Sequence, residues 1–357
     1  QDDLHEFTGS LMISGSRIDL NDGKNNTGLG KLALASITTG ANNVGVGRSA
    51  GGSLTTGIQN VLLGQSAGLD LTIANYSVAI GMEALRTEDV GDRSVAIGYR
   101  SLYSQNSDSN NEDTLNIAIG FQAGYYNVTG KGNVYVGSSA GFGASGNSHS
   151  QNTGIGTRVL SVVTTGGNNV GVGYDALRNT TSGTENVAVG KDALKDNQGG
   201  AGNTGVGTEA LSNNTSGTEN VAVGKLALFT ATTAALNVAV GNEALRLTTT
   251  GGSNVGVGRE SGYSGTTHSG SVYIGERAGY EVTTGNENTV IGSRALSTAT
   301  TATFNVAIGG DAMFGVPSGV AASGVVAIGL EALKGGSSTS TGINNTVAIG
   351  NAALKNL

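Results

Sequence analysis

Glycine returns every 17 residues along most of this chain, and that interval restricts the fold more than any other property of the sequence. The marker glycines run from Gly30, Gly47 and Gly64 through Gly173, Gly190 and Gly207 to Gly309, Gly329 and Gly350. Nineteen of them define eighteen intervals, of which fourteen are 17 residues and the rest 22, 19, 20 and 21. Every exception is longer, so the exceptions read as loop insertions near 104–114, 143–151, 315–324 and 335–345. Helical repeats need about 33 residues or more and leucine-rich repeats about 20. A shorter unit fits one coil of a parallel β-solenoid, hydrogen-bonded to the next coil through its backbone.

Within the unit, NVAVGKDAL, NTGVGTEAL and NVAVGKLAL follow one another between Asn186 and Leu228. The residue before each marker is always Val, Ile or Leu, and two residues earlier it is usually Val. The residue between them is mostly Gly or Ala, as at Gly45, Ala79, Ala96 and Ala188. Alternation of this kind is a short strand with one apolar face, and the small residue requires close packing on the other face as well. Asn stands four residues before the marker in 14 units, where stacked side chains can form a ladder or a left-handed bend. After the marker comes an apolar pair, usually Ala-Leu, and then a Thr/Ser/Gly turn. The expected coil has two short strands and two turns. About 19 coils, separated by eighteen steps of about 4.8 Å, make a rod of about 86 Å. The expected domains are a capping or docking strand segment at 1–25 and a solenoid at 26–357.

A second pattern lies over the first. Gly51, Gly68, Gly124, Gly141, Gly262 and Gly279 replace the Leu, in three adjacent pairs. In the second coil of each pair the usually small strand position is bulky: Leu62, Tyr135 and Tyr273. Large residues thus stand where a neighbour became small. The small column and the Leu column are expected to face one compartment, with Gly51, Gly124 and Gly262 vacating space for the bulky residues. A 17-residue coil looks too thin for two apolar columns, so one is expected to need a partner surface. A parallel homo-oligomer is therefore expected.

Composition excludes several functions. The chain has 61 Gly, one Pro, no Cys and no Trp, and only 13% of its 357 residues are charged. It carries a net charge of −7 and no Lys/Arg cluster, so no nucleic-acid partner is expected. No apolar stretch approaches the roughly 20 residues that span a bilayer, so no membrane insertion is expected. Gln1 is not an initiator Met and Leu357 follows directly on a repeat motif. The chain therefore reads as a fragment or processed product, with more chain or another subunit expected beyond Leu357.

Chemistry-bearing motifs are few. GVGRSA at 45–50 fits a dinucleotide fingerprint, but so do three other segments of the same repeat column, and no long helix follows. His5, His149 and His268 each stand alone in polar or turn sequence and are expected at the surface. Glu83, Glu209, Glu243 and Glu331 share one coil position with Asp175, Asp192 and Asp311, which reads as a solvated column. Asp108, Asn110, Glu112 and Asp113 in the acidic insertion could hold Ca²⁺ through oxygens, against the plainer reading of a solvated loop. Tyr125 and Phe142 are equivalent on adjacent coils, as are Tyr263 and Tyr280. These four, with Tyr135 and Tyr273, are candidates for an interface or for stacking on sugar rings, interior packing being the plainer alternative. No cofactor, no catalytic residue and no enzymatic activity are expected.

The stretches NVAVGKDAL, SVAIGMEAL and TVAIGNAAL resemble the head repeat of trimeric autotransporter adhesins, a left-handed β-roll, and the repeats of phage tail fibres. The resemblance covers Asn26 to about Leu354 and implies a left-handed coil and a parallel homotrimer. It implies a segment of an attachment fibre, outside the cell on a virion or on a bacterial surface, presenting or spacing a surface for a glycan or protein receptor. Phage tail fibre is preferred because the opening FTGS…ISGS looks like stretches of phage structural proteins. The alternatives are a purely structural filament subunit docking to its neighbours and, more remotely, a polysaccharide-degrading fibre.

Overall fold

The computed structural model describes residues 23–110, 112–317, 322–335 and 343–356. It is an all-β solenoid of nineteen strands, from β1 (Thr27–Leu29) to β19 (Val347–Ile349), each three residues long. Every strand pairs in parallel with the strands before and after it in the chain, in one continuous sheet. Val187 faces Thr204 across one 17-residue step. Insertions leave that register intact: Val95 pairs with Ile117, and Val326 with Val347. The strands on either side of each insertion keep the same alignment. The expected capping segment lies almost wholly outside the described residues.

The marker glycine is fixed by two constraints. Gly190 has φ of 136°, and a Cβ there would sit 2.6 Å from the carbonyl oxygen of Gly207 in the next coil. Such a φ is essentially reserved for glycine, and the close approach leaves no room for a methyl group. Each coil also takes ordinary residues into the left-handed region, as at Glu185 (59°), Asp192 (56°) and Leu194 (49°). The strain is countered by amide bonds to neighbouring coils, Asp192 to Tyr174 and Leu194 to Ala210, both at 2.9 Å. These turns correct the expected coil. Ala193-Leu194 is not a second strand; it is a tight turn that aims both side chains inward, and each coil contains one strand.

Both of those side chains, and the middle residue of the strand, are fully buried, as Ala188, Ala193 and Leu194 show. The small and Leu columns do share one compartment. Cβ atoms on Gly51 and Gly68 would lie 2.6 and 2.8 Å from Leu62, and Gly141 and Gly279 press directly on the rings of Tyr135 and Tyr273. Both glycines of each pair make room, not the first alone. One coil holds both columns because one of them is mostly Gly and Ala, so neither needs a partner surface.

The Asn column completes the core. Asn186 donates from Nδ2 to Asn169 Oδ1 (3.0 Å) and to the Gly200 carbonyl (2.8 Å). Its own Oδ1 accepts from the backbone N and the Nδ2 of Asn203, at 3.0 and 3.2 Å. One side chain thus satisfies buried groups in three coils, where no water reaches. At the 22-residue interval the ladder is broken by Ser94 and repaired by Gln105, which donates to Ser94 Oγ and accepts from Asn116, both at 2.9 Å.

Candidate interaction surfaces

With the core filled from within, the outer residues of each strand point away from it. The last strand position is Val, Ile or Leu in all nineteen strands and the first is Val, Ile or Thr. Together they form a band two residues wide along the whole rod. Ile119, Ile155, Val189, Val223, Val240 and Ile274 are among its exposed members. Isolated exposed aliphatics are ordinary, but a monomer seldom presents a contiguous apolar patch beyond a few hundred Å².

A second surface lies beyond the glycine turn. Side chains five residues after the marker form aromatic ladders. Tyr103, Tyr125 and Phe142 stack at 5.0 and 5.3 Å, and Tyr263 on Tyr280 at 5.0 Å. Coil spacing sets these distances, which match the preferred stacking range. Arginines extend the ladders: Arg86 lies 5.6 Å over Tyr103, and Arg246 lies between Phe229 (5.8 Å) and Tyr263 (5.5 Å). Four of the six aromatic candidates thus lie on the surface, half-buried by one another. The other two are corrected. Tyr135 and Tyr273 are fully buried inside the coil and have no face to offer a partner. Tyr103 is a ladder member the sequence pattern misses, because it follows Leu102 where its partners follow a glycine.

His149 and His268, expected at the surface, are buried. Each replaces the Gly or Ala that most other coils carry seven residues before the marker. The ring of His268 fills space that a Cβ on Gly265 would occupy. His149 meets Tyr135 edge-on at 5.7 Å, and His268 meets Tyr273 at 5.5 Å. The Tyr135 hydroxyl lies 3.2 Å from Asn133 Oδ1 and 2.9 Å from His149 Nδ1. Both nitrogens of His268 and the Tyr273 hydroxyl have no hydrogen-bond partner among the described residues. Burial lowers both histidines to about 4 and raises Tyr273 to about 12. The histidines are therefore neutral near pH 7. His5 lies outside the described residues.

The acidic insertion does not gather its oxygens. Glu112 pairs with Lys131 and Asp113 with Arg93, both on neighbouring coils. Among the described residues no three His, Cys, Asp or Glu side chains are placed to hold a metal ion. Part of the acidic column is likewise paired with cations from adjacent coils, while Asp192 and Glu243 meet cations of their own coil. Glu83 meets Arg100 at 2.6 Å, Asp175 meets Arg158 at 2.7 Å, and Asp311 meets Lys334 at 2.6 Å. Asp175 and Asp311 are buried under these partners and are not solvated as expected.

Comparison with models of known protein families finds no match, and comparison with curated proteins finds no significant one. Among the described residues no helix is long and apolar enough to cross a membrane.

Proposed function

We propose that the chain is the rod segment of a surface attachment fibre, built from three parallel copies wound as left-handed coils. The aliphatic band carries this reading. A lone chain leaves about 86 Å of contiguous Val and Ile in water. Three copies around one axis would bury it, each strand facing its equivalents in the other two, as closed rotational symmetry allows. The uniform repeat supports a spacing role, since stacked coils add length at a fixed increment. The ladders on the far side of the glycine turn are the surface left to a receptor. A location outside the cell follows from that role, with a virion fibre preferred over a bacterial surface adhesin.

Immunogold microscopy with antibody against this chain tests the role. The expected result is label on fibres of virus particles or on cell surfaces. Label confined to the cytoplasm would overturn the attachment reading.

A further inference from the structure

The exposed aliphatic band is the middle of a wider face. From Glu219 to Lys225 the side chains alternate: Asn220 and Ala222 are buried, while Glu219, Val221, Val223 and Lys225 lie on the outside, Val221 partly covered. Glu185 to Lys191 repeats the arrangement two coils earlier. Each coil thus presents four side chains in a row. An aliphatic pair lies between two flanks, one five residues before the marker glycine and one directly after it. Six residues of extended chain separate the flanks by about 20 Å, so the two ends of one row do not touch within the chain.

The flanks nevertheless match each other level by level. Glu185 stands opposite Lys191, and Glu219 opposite Lys225. Tyr76 is matched by Met82 and Leu115 by Phe121, all four exposed. Size is matched as well: Phe304 is opposite Gly310, and Leu330 opposite Gly324. None of the nineteen levels carries like charge on both flanks. A shift of one coil in either direction separates both Glu–Lys pairs, and in one direction it sets Glu287 opposite Glu276. Glu185, Glu219 and Lys225 form no ion pair among the described residues, and Lys191 meets Asp192 of its own coil at 3.4 Å. Packing inside the chain does not account for a match between two columns that far apart. Contact between copies does. Rotation about an axis parallel to the rod brings the leading flank of one copy beside the trailing flank of the next at the same level, a heterologous contact that closes into a ring.

We propose that the partner of this face is a second copy of this chain, parallel and in step, with Glu185 and Glu219 of one copy paired to Lys191 and Lys225 of the next. The proposal rests on the three-copy rod and names the contacts that align it. Opposite charges join aligned copies, and repulsion between Glu287 and Glu276 opposes one slipped alignment.

The test is disulfide trapping. The chain has no Cys, so introduced thiols are the only ones present. Glu219→Cys with Lys225→Cys places two thiols about 20 Å apart in one copy, and a disulfide needs Cα atoms within about 7 Å. Only a neighbouring copy can complete the bond. After mild oxidation with copper phenanthroline, the expected product on a denaturing, non-reducing gel is a covalent species of three chain masses that reductant returns to one. Glu185→Cys with Lys191→Cys repeats the test at another level, with the same result expected. Glu219→Cys with Asn242→Cys is the control one coil out of step, expected to give at least tenfold less of that species. Sedimentation of the unaltered chain separates two failures. Three chain masses there, with no covalent species from either in-step pair or with more from the control, overturns the flank pairing and leaves the three-copy rod standing. One chain mass at every concentration overturns both.

Discussion

Replacing Gly190 by Ala is expected to destabilise its coil by about 4 kcal/mol, at the far end of what single substitutions do. Two costs combine. A φ of 136° is a region that L side chains avoid, which costs about 1–3 kcal/mol. The new methyl group would also lie 2.6 Å from the Gly207 carbonyl oxygen. Relieving that overlap pulls β10 (Val187–Val189) off register with its neighbour, and the hydrogen bonds on both sides of it weaken. Coils contact only their neighbours, so the damage should begin locally and spread along the stack. Gly199→Ala is the control. Gly199 is exposed, has no positive φ, and a Cβ there meets only Ser182 Oγ at 3.6 Å. That change is expected to be neutral or to stabilise by about 0.5 kcal/mol through the unfolded chain. Chemical denaturation followed by circular dichroism compares the two, and equal midpoints would contradict the packing described.

Acidification is expected to have the second-largest effect. Burial holds His149 and His268 at about 4 in the folded chain, against about 6.5 in the unfolded one. Between those values the unfolded state binds more protons, so stability falls as pH falls. The contribution of each neutral imidazole is fully present above about pH 6.5 and is lost progressively on going down to about pH 4. The shift corresponds to about 3 kcal/mol per histidine. No charged residue offsets it, since desolvation is the leading cause at both sites. Denaturation midpoints measured from pH 7 to pH 4 should drop steeply. The His149→Gln, His268→Gln double variant should flatten that window even if its midpoint at pH 7 is lower. A double variant with the original slope would show that carboxylates, not these histidines, carry the acid sensitivity.

The contrast between those two results also shows what the sequence makes legible. Gly190 belongs to a column with no exceptions, so its role is visible from spacing alone, as is that of the Asn ladder. His149 and His268 are exceptions within a column of Gly and Ala. Residues without side chains carry no hydropathy signal, so nothing marks that column as interior. The Ala-Leu pair looks like a strand because it is apolar and regularly spaced; the positive φ of Leu194 leaves no trace in residue type. Outward orientation of the Val and Ile band is hidden for a related reason. Alternation shows that two faces differ, but the small face turned out to be the inner one. The compensation of Gly51 by Leu62 is readable because volume is conserved across neighbouring coils; the share of Gly68 in it is not. Tyr103 is not readable either, because no glycine announces it.

Whether the rod assembles through its aliphatic band is the claim on which the functional reading depends. Sedimentation equilibrium of the purified 357-residue chain tests it most directly. The expected result is a single species of three times the 35.4 kDa chain mass, stable on dilution. A folded, soluble species of one chain mass at every concentration would contradict it, because the exposed band would then be tolerated in water without a partner.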